Sequence, residues 1–296
     1  MVLNTRSLAA IVALGSALVA CGGEPAPAGS AALVATTGIW ADVASRVACR
    51  DGGDPAVVPA LIPDGADPHT FEPSLRDRRT LEHAMVVIAN GAGLEGATAD
   101  LLGAARRSGT RVVELADVVG TIDGDPHVWQ DPTVVAAALD AIADAAVAAG
   151  GDAAAIAACT ADYRAQLVAL DADIAAMIAA IPAERRTLVT SHDSLAYFAR
   201  RYGLEIVGTV IPATNTLAES SAAQLAALAD VIADRGVPAV FTDRFESSTE
   251  AEALANRLGV RVVPLVTDAL TDEPGGETYL AMMRSNAAAI SGALAP

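Results

Sequence analysis

Short runs rich in β-branched residues recur along this chain of 296 residues, and they are apolar almost throughout. Such runs, separated by Ala-rich helical stretches, predict strands of parallel sheets whose two faces are both covered by helices. Four runs precede residue 120 and four follow residue 185. We expect strands at Ala32–Thr36, Ala56–Ile62, Met85–Asn90, Arg111–Leu115, Thr187–Ser191, Glu205–Val210, Ala239–Asp243 and Arg261–Val266.

One long helical stretch separates the two sets of strands. Residues Asp152–Ile181 carry apolar residues at helical spacing without Pro or Gly, and Pro182 then ends the helix. The predicted fold class is α/β, with two lobes that each hold a four-stranded, mainly parallel sheet flanked by helices. One long rigid helix joins the lobes. We place the N-terminal lobe at residues 31–151, the linking helix at 152–182 and the C-terminal lobe at 183–296.

The first thirty residues predict export. A weakly basic start leads into a short apolar run, Ser7–Val19, which fits a secretory signal better than a membrane-spanning helix. The run ends in Leu-Val-Ala-Cys, which resembles the lipobox of bacterial lipoproteins and implies a signal peptide at 1–20 and a lipid on Cys21. Residues 21–30 read as a flexible tether. The alternative is an ordinary signal peptide with an incidental cysteine.

Charge and cysteine content narrow the function classes. The net charge of −17 argues against nucleic acid as a partner, because no basic patch could meet phosphates. An acidic surface is compatible with attracting cations, although it more often serves solubility. Outside the cytoplasm, Cys49 and Cys159 could form a disulfide, and two buried free thiols are the alternative.

Three of the four histidines follow expected strands. His69 and His127 each end an Asp-Pro-His sequence, after the second and fourth strands, and His192 follows the fifth. Asp268 comes after the last strand. A single such histidine is more often a loop or capping residue, but three at the carboxyl ends of strands favour a ligand site in the cleft between the lobes. The fourth, His83, is interpreted as a surface residue at a helix end.

Three imidazoles and one carboxylate, two ligands from each lobe, would form a tetrahedral shell. This set suits Zn²⁺ and is tolerable for Mn²⁺. Asp131, Asp193 and Asp243 are candidates to orient these ligands, and helix capping is the preferred interpretation for the first two.

The sequence around these residues resembles the metal-specific solute-binding proteins of bacterial ABC importers, the zinc and manganese group called cluster A-I. The resemblance covers essentially the whole mature chain. Its motifs are Pro68-His-Thr-Phe-Glu-Pro73, Asp125-Pro-His-Val-Trp129, Asp131-Pro132, Ser191-His-Asp-Ser-Leu-Ala-Tyr-Phe198, Tyr202-Gly203, Thr267-Asp-Ala-Leu270 and Tyr279-Leu-Ala-Met-Met283.

This resemblance implies two α/β lobes bridged by a rigid helix, with the metal between them. It also implies that His69, His127, His192 and Asp268 are the metal ligands. Members devoted to manganese commonly carry Glu at the third ligand position, so His192 favours zinc. Some zinc-binding members have a His-rich loop before the second ligand, whereas Val118–Asp125 is short and lacks His.

The sequence therefore predicts a monomeric, extracytoplasmic lipoprotein, anchored at the cell membrane or in the periplasm. It would capture zinc, or alternatively manganese, and deliver it to the permease and ATPase of an ABC importer. A zinc hydrolase is the main alternative function, but the chain contains neither a His-Glu-x-x-His motif nor a Gly-x-Ser-x-Gly motif. We therefore expect that the protein is not an enzyme. A surface adhesin that keeps the same fold is a further alternative.

Overall fold

The N-terminal sheet has three parallel strands in the order β1-β2-β3. The computed structural model describes residues 32–50, 53–245 and 249–295. The three strands are β1 Leu33–Ala35, β2 Val86–Ala89 and β3 Arg111–Glu114. The helices before the linking helix are α1 Gly38–Val47, α2 Leu75–His83, α3 Ala99–Ser108, α4 Leu115–Val119 and α5 Pro132–Ala148.

The strand expected at Ala56–Ile62 does not form, and this part of the prediction is wrong. The segment runs beside β1 but makes a single bridge, from Ala35 to Ala60. The carbonyl of Pro59 accepts a hydrogen bond from the N–H of Ala35, and the N–H of Leu61 donates to the carbonyl of Ala35. Prolines at positions 55, 59 and 63 lack the N–H that a continuous ladder requires, so the segment extends the sheet edge without becoming a strand.

The C-terminal sheet has the four expected strands, all parallel, in the order β5-β4-β6-β7. The strands are β4 Thr187–Thr190, β5 Glu205–Thr209, β6 Ala239–Asp243 and β7 Arg261–Leu265. The helices that follow the linking helix are α7 Ala196–Tyr202, α8 Ala222–Arg235, α9 Thr249–Leu258 and α10 Tyr279–Leu294. The α/β fold with two parallel sheets is confirmed.

The helix α6, Ala153–Ala179, lies between the two sheets in sequence and has 27 residues. At 1.5 Å per residue it is about 40 Å long. Asp152 caps its start by accepting a hydrogen bond from the N–H of Ala155. Its buried face packs against α1, α5 and α10, so one hydrophobic cluster continues from the first sheet through α6 to the second. We propose that α6 divides the chain into lobes at residues 31–151 and 183–296.

A disulfide joins Cys49, just beyond α1, to Cys159 in α6, across 110 residues of sequence. Of the helices within the described ranges, none combines the length and apolar character needed to cross a membrane. The predicted signal peptide, the tether and Cys21 lie outside the described residues.

Candidate metal centre

Four buried side chains converge between the two sheets: His69, His127, His192 and Asp268. One nitrogen or oxygen atom from each lies within 4.8 Å of the corresponding atoms of the others. The Nε2 atoms of His69 and His127 are 3.3 Å apart. The carboxylate of Asp268 lies 3.1 Å from Nε2 of His192 and 3.8 Å from Nε2 of His69 and of His127. The structure thus brings together all four residues singled out in the sequence.

His69 lies in the loop between the edge segment and α2. Its N–H donates to Oδ1 of Asp67 at 2.8 Å, which closes a tight turn over the intervening proline. The other oxygen, Oδ2, accepts from the hydroxyl of Thr70 at 3.1 Å and from that of Thr216 at 2.6 Å. Asp67 therefore fixes the backbone that carries the imidazole.

His127 lies in a second turn of the same kind, and here the aspartate also reaches the ring. Oδ1 of Asp125 accepts from the N–H of His127 at 2.9 Å and lies 2.7 Å from its Nδ1. A carboxylate at Nδ1 favours the tautomer with the proton on that nitrogen. Nε2 is then left with its lone pair directed into the cluster.

The loop with His127 is attached to neighbours on several sides. Nδ2 of Asn90, at the end of β2, donates to the carbonyl of Pro126 at 2.9 Å. From α7, the hydroxyl of Tyr197 donates to the carbonyl of Asp125 at 3.3 Å. Trp129 donates from its indole nitrogen to the carbonyl of Thr267 at 2.8 Å. Three separate elements therefore restrict the movement of this ligand.

The C-terminal ligands follow the carboxyl ends of β4 and β7, as the topology of parallel sheets predicts. His192 is fully buried, and its carbonyl accepts from the hydroxyl of Thr190 at 2.8 Å. The residues before Asp268 are held from two directions. Asn286 of α10 donates to the carbonyl of Val266 and accepts from its N–H, at 2.7 and 3.0 Å, and Asp243 accepts from the N–H of Thr267 at 2.9 Å.

The electrostatics of the cluster favour a neutral His69 beside a charged Asp268. Burial, opposed by the nearby charge of Asp268, lowers the pKa of His69 to about 4. Burial by itself would raise the pKa of Asp268, but His192, His127 and His69 together hold it below its usual value. Neither carboxylate oxygen of Asp268 accepts a hydrogen bond of good geometry from the described residues. A buried carboxylate without such donors is costly, and a cation among these four groups would satisfy it.

The structure also answers the predictions about the neighbouring aspartates. Asp131 caps α5 through the N–H of Thr133, as expected. Asp193 does not cap a helix, because α7 begins after Leu195. Asp243 contacts the backbone before Asp268.

The two aspartates that carry the turns, Asp67 and Asp125, were not recognised from the sequence as supports for the ligands. Their signal was the repeated Asp-Pro-His sequence, since an aspartate two residues before an N–H is the spacing of a side-chain-capped turn. The remaining histidine, His83, is the exposed last residue of α2, which confirms its interpretation as a helix-end residue.

Comparison with known proteins gives consistent matches along nearly the full length. A family model described as zinc-uptake complex component A, periplasmic, matches residues 33–293. The zinc-binding protein TroA of Treponema pallidum is 31% identical over 313 residues, with 99% of each chain covered. The manganese-binding lipoprotein MntA of Halalkalibacterium halodurans is 31% identical over 266 residues, which cover 86% of this chain and 85% of that protein.

Among solved structures, the periplasmic zinc-binding protein TroA from Treponema pallidum superposes with a TM-score of 0.81 at 29% sequence identity. The match covers 89% of this chain and 99% of that one.

Proposed function

Because the chain belongs to the family of periplasmic zinc-uptake components, we propose that it captures a divalent transition metal outside the cytoplasm and delivers it to an ABC importer. Zinc is the first candidate cargo. The observation that carries the proposal is the buried cluster of His69, His127, His192 and Asp268. We assign these four side chains as the metal ligands.

The donor set supports zinc over manganese. Three imidazole nitrogens and one carboxylate suit four-coordinate Zn²⁺, whereas Mn²⁺ prefers a larger share of oxygen ligands. Manganese is nevertheless the second candidate, because a relative at 31% identity is named a manganese-binding lipoprotein. The general order of affinities places Zn²⁺ above Mn²⁺ for such sites, so a tight zinc complex in vitro does not by itself identify the metal in the cell.

A transport role fits this site better than hydrolysis. Catalytic zinc sites usually have three protein ligands and keep a fourth position for water. Here four protein groups from four different loops surround the same point, and all four are buried. A site of this kind holds a metal as cargo between two lobes, so we propose that the protein is not an enzyme. A surface adhesin with this fold would differ by having no role in metal uptake.

The partners we propose are the permease and the ATPase of the importer. We also propose that Cys21 carries a lipid that anchors the mature protein to the cell membrane, on its outer face or on the face towards the periplasm. Relatives named as lipoproteins support this reading. Mass spectrometry of the native N-terminus tests it: the expected product begins at a diacylated Cys21, and an unlipidated product that begins further downstream contradicts the anchor.

The cargo is tested by the metal content and competitive metal titration of the purified mature protein. We expect one Zn²⁺ per chain, bound more tightly than Mn²⁺, and a severe loss of affinity on replacing any of the four ligands by Ala. The Ala replacement of His83 is the matched control, because this histidine is exposed at the end of α2. Growth of a deletion strain in zinc-limited and in manganese-limited medium then identifies the metal transported. A growth defect in manganese-limited medium alone would exclude the zinc assignment.

A further inference from the structure

The two Asp-Pro-His turns are built alike but are attached to the rest of the protein in different ways. In both, the aspartate accepts a hydrogen bond from the N–H of the histidine two residues later. Asp125 also contacts the imidazole of its own histidine, at Nδ1. Asp67 instead turns its second oxygen to Thr216, which is 149 residues away.

Thr216 lies in the loop between β5 and α8 of the C-terminal half. Its hydroxyl donates to Oδ2 of Asp67 at 2.6 Å, a length typical of a hydroxyl bonded to a charged carboxylate. The other two bonds to this carboxylate come from His69 and Thr70, within the same turn. Those local bonds move with the turn. Of the hydrogen bonds to Asp67 described above, only the one from Thr216 ties the turn to a distant part of the chain.

The turn with His69 has less support from outside than the turn with His127. Across to the C-terminal half, the segment with His69 makes the Thr216 bond and a backbone bond from the N–H of Gly65 to the carbonyl of Leu270, at 2.9 Å. The loop with His127 makes more bonds to that half, to the hydroxyl groups of Tyr197 and Tyr279 and, through Trp129 and Gln130, to the carbonyl of Thr267. Loss of one anchor therefore affects His69 more than it affects His127.

The hydrogen bond between Thr216 and Asp67 also lies on the wall of a cavity. A cavity of about 610 Å³ is lined by both partners of the bond, together with Thr70, Glu219, Phe245 and Glu250. Thr70 directly follows His69 in the sequence, and Asp67 precedes it by two residues. The turn that carries His69 therefore forms part of the wall of this cavity.

We propose that Thr216 is a positioning residue for the metal ligand His69, and that its hydrogen bond to Asp67 slows release of the metal by holding the turn that carries His69. The inference rests on the proposed function, because it requires that the four-residue cluster binds metal. Thr216 does not touch the metal. It acts through Asp67, by holding the turn so that Nε2 of His69 stays within the cluster.

Replacing a group that orients a metal ligand typically weakens metal affinity about 10- to 100-fold. Asp67 and Thr216 are both half-buried, so we expect the lower end of this range. Thr216→Val removes the hydroxyl and keeps the shape of the side chain. We expect its dissociation constant for Zn²⁺ to rise about tenfold, mostly through faster release.

The experiment uses the mature protein loaded with Zn²⁺ and mixed rapidly with an excess of a chromophoric chelator, so that the release rate is read directly. Thr216→Ser keeps the hydroxyl and is expected to release zinc at the wild-type rate. Thr214→Val is the matched control, since Thr214 is half-buried in the same loop and does not share the contact to Asp67. Thermal melting of the metal-free variants separates an effect on release from a general loss of stability.

A double-mutant cycle with Asp67→Ala completes the test. If Thr216 acts through Asp67, adding Thr216→Val to Asp67→Ala increases release no further. Equal zinc release rates for Thr216→Val and Thr214→Val would overturn the inference. It would also be overturned if the release rate of the double variant rose by the product of the two single-variant effects. Either result leaves the proposed function intact if the wild type binds zinc. A wild type that binds neither zinc nor manganese overturns both.

Discussion

The disulfide between Cys49 and Cys159 allows a prediction whose size can be calculated. It joins the end of α1 to α6, which itself packs against α5 and α10. The bond does not touch the metal cluster. Replacing both cysteines by Ser should therefore lower the stability of the metal-free protein and leave the dissociation constant for zinc unchanged.

The size of the effect follows from the chain that the bond closes. The two cysteines are 110 residues apart in sequence. In the chain-entropy description, closing a loop of this length lowers the conformational entropy of the unfolded chain by about 16 cal/mol/K. This corresponds to about 5 kcal/mol of stability at 25 °C. For a protein of this size, that loss lowers the melting temperature by on the order of 10 °C.

Urea unfolding of residues 22–296, a form without Cys21, measures the difference for the Cys49→Ser/Cys159→Ser variant. Wild type treated with a reductant is the second route to the same comparison and should match the variant. Free zinc at about 1,000 times its dissociation constant should raise the free energy of unfolding of the variant and of the reduced wild type by roughly 4 kcal/mol. Unfolding midpoints that agree between oxidised wild type and variant would refute the argument from chain entropy. A weakened zinc affinity in the variant would refute the separation of the disulfide from the site.

Three further predictions concern the site itself. Replacing His192 by Glu adds an oxygen ligand and should narrow the preference for Zn²⁺ over Mn²⁺, whereas replacing it by Ala should leave a much weaker site. Competition calorimetry measures both variants, and an unchanged zinc affinity in the Ala variant would exclude His192 as a ligand. Replacing Asp125 by Asn removes the charge 2.7 Å from Nδ1 of His127. This change should weaken zinc binding by about 10- to 100-fold in the same titration. An unchanged dissociation constant would mean that the carboxylate of Asp125 does not contribute to zinc binding by His127. Because His69 has a pKa of about 4 when folded and near ~6.5 when unfolded, the unfolded chain binds the extra proton between these values. The stability of the metal-free protein should therefore fall by up to about 3 kcal/mol as pH drops from 6.5 to 4. Urea unfolding at pH 7, 5.5 and 4.5 measures this loss, and an equal loss in a His69→Gln variant would contradict its assignment to His69.

The parts of the structure that depend on local sequence could be predicted well. Strand ends in parallel sheets converge by topology, so the placement of His192 and Asp268 followed once β4 and β7 were recognised. The cap of α5 by Asp131 followed from its position before Pro132. The segment at Ala56–Ile62 carries β-branched residues that favour a strand, but its neighbouring and internal prolines cannot donate to a ladder and prevent one.

Contacts between distant parts of the chain could not be predicted in the same way. Thr216 is one hydroxyl in a polar loop, and nothing in its own sequence neighbourhood points to Asp67. The attachment of Trp129 to Thr267 spans 138 residues and depends on how the two lobes pack. Such contacts become visible only when the tertiary arrangement is known, and they decide how firmly each ligand is held.

The continuous packing along α6 has a consequence for the lifetime of the loaded protein. One hydrophobic cluster spans both sheets through this helix. We therefore expect the two lobes to move as one body and the ligand cluster to open by movement of its loops. For example, a dissociation constant of about 1 nM and an association rate constant of about 10⁷ M⁻¹s⁻¹ would together keep a metal ion bound for roughly 100 s. A transport cycle faster than this cannot wait for spontaneous dissociation. If the chain has the proposed role, we expect docking on the permease to displace the ligand loops and so to set how long the metal stays bound.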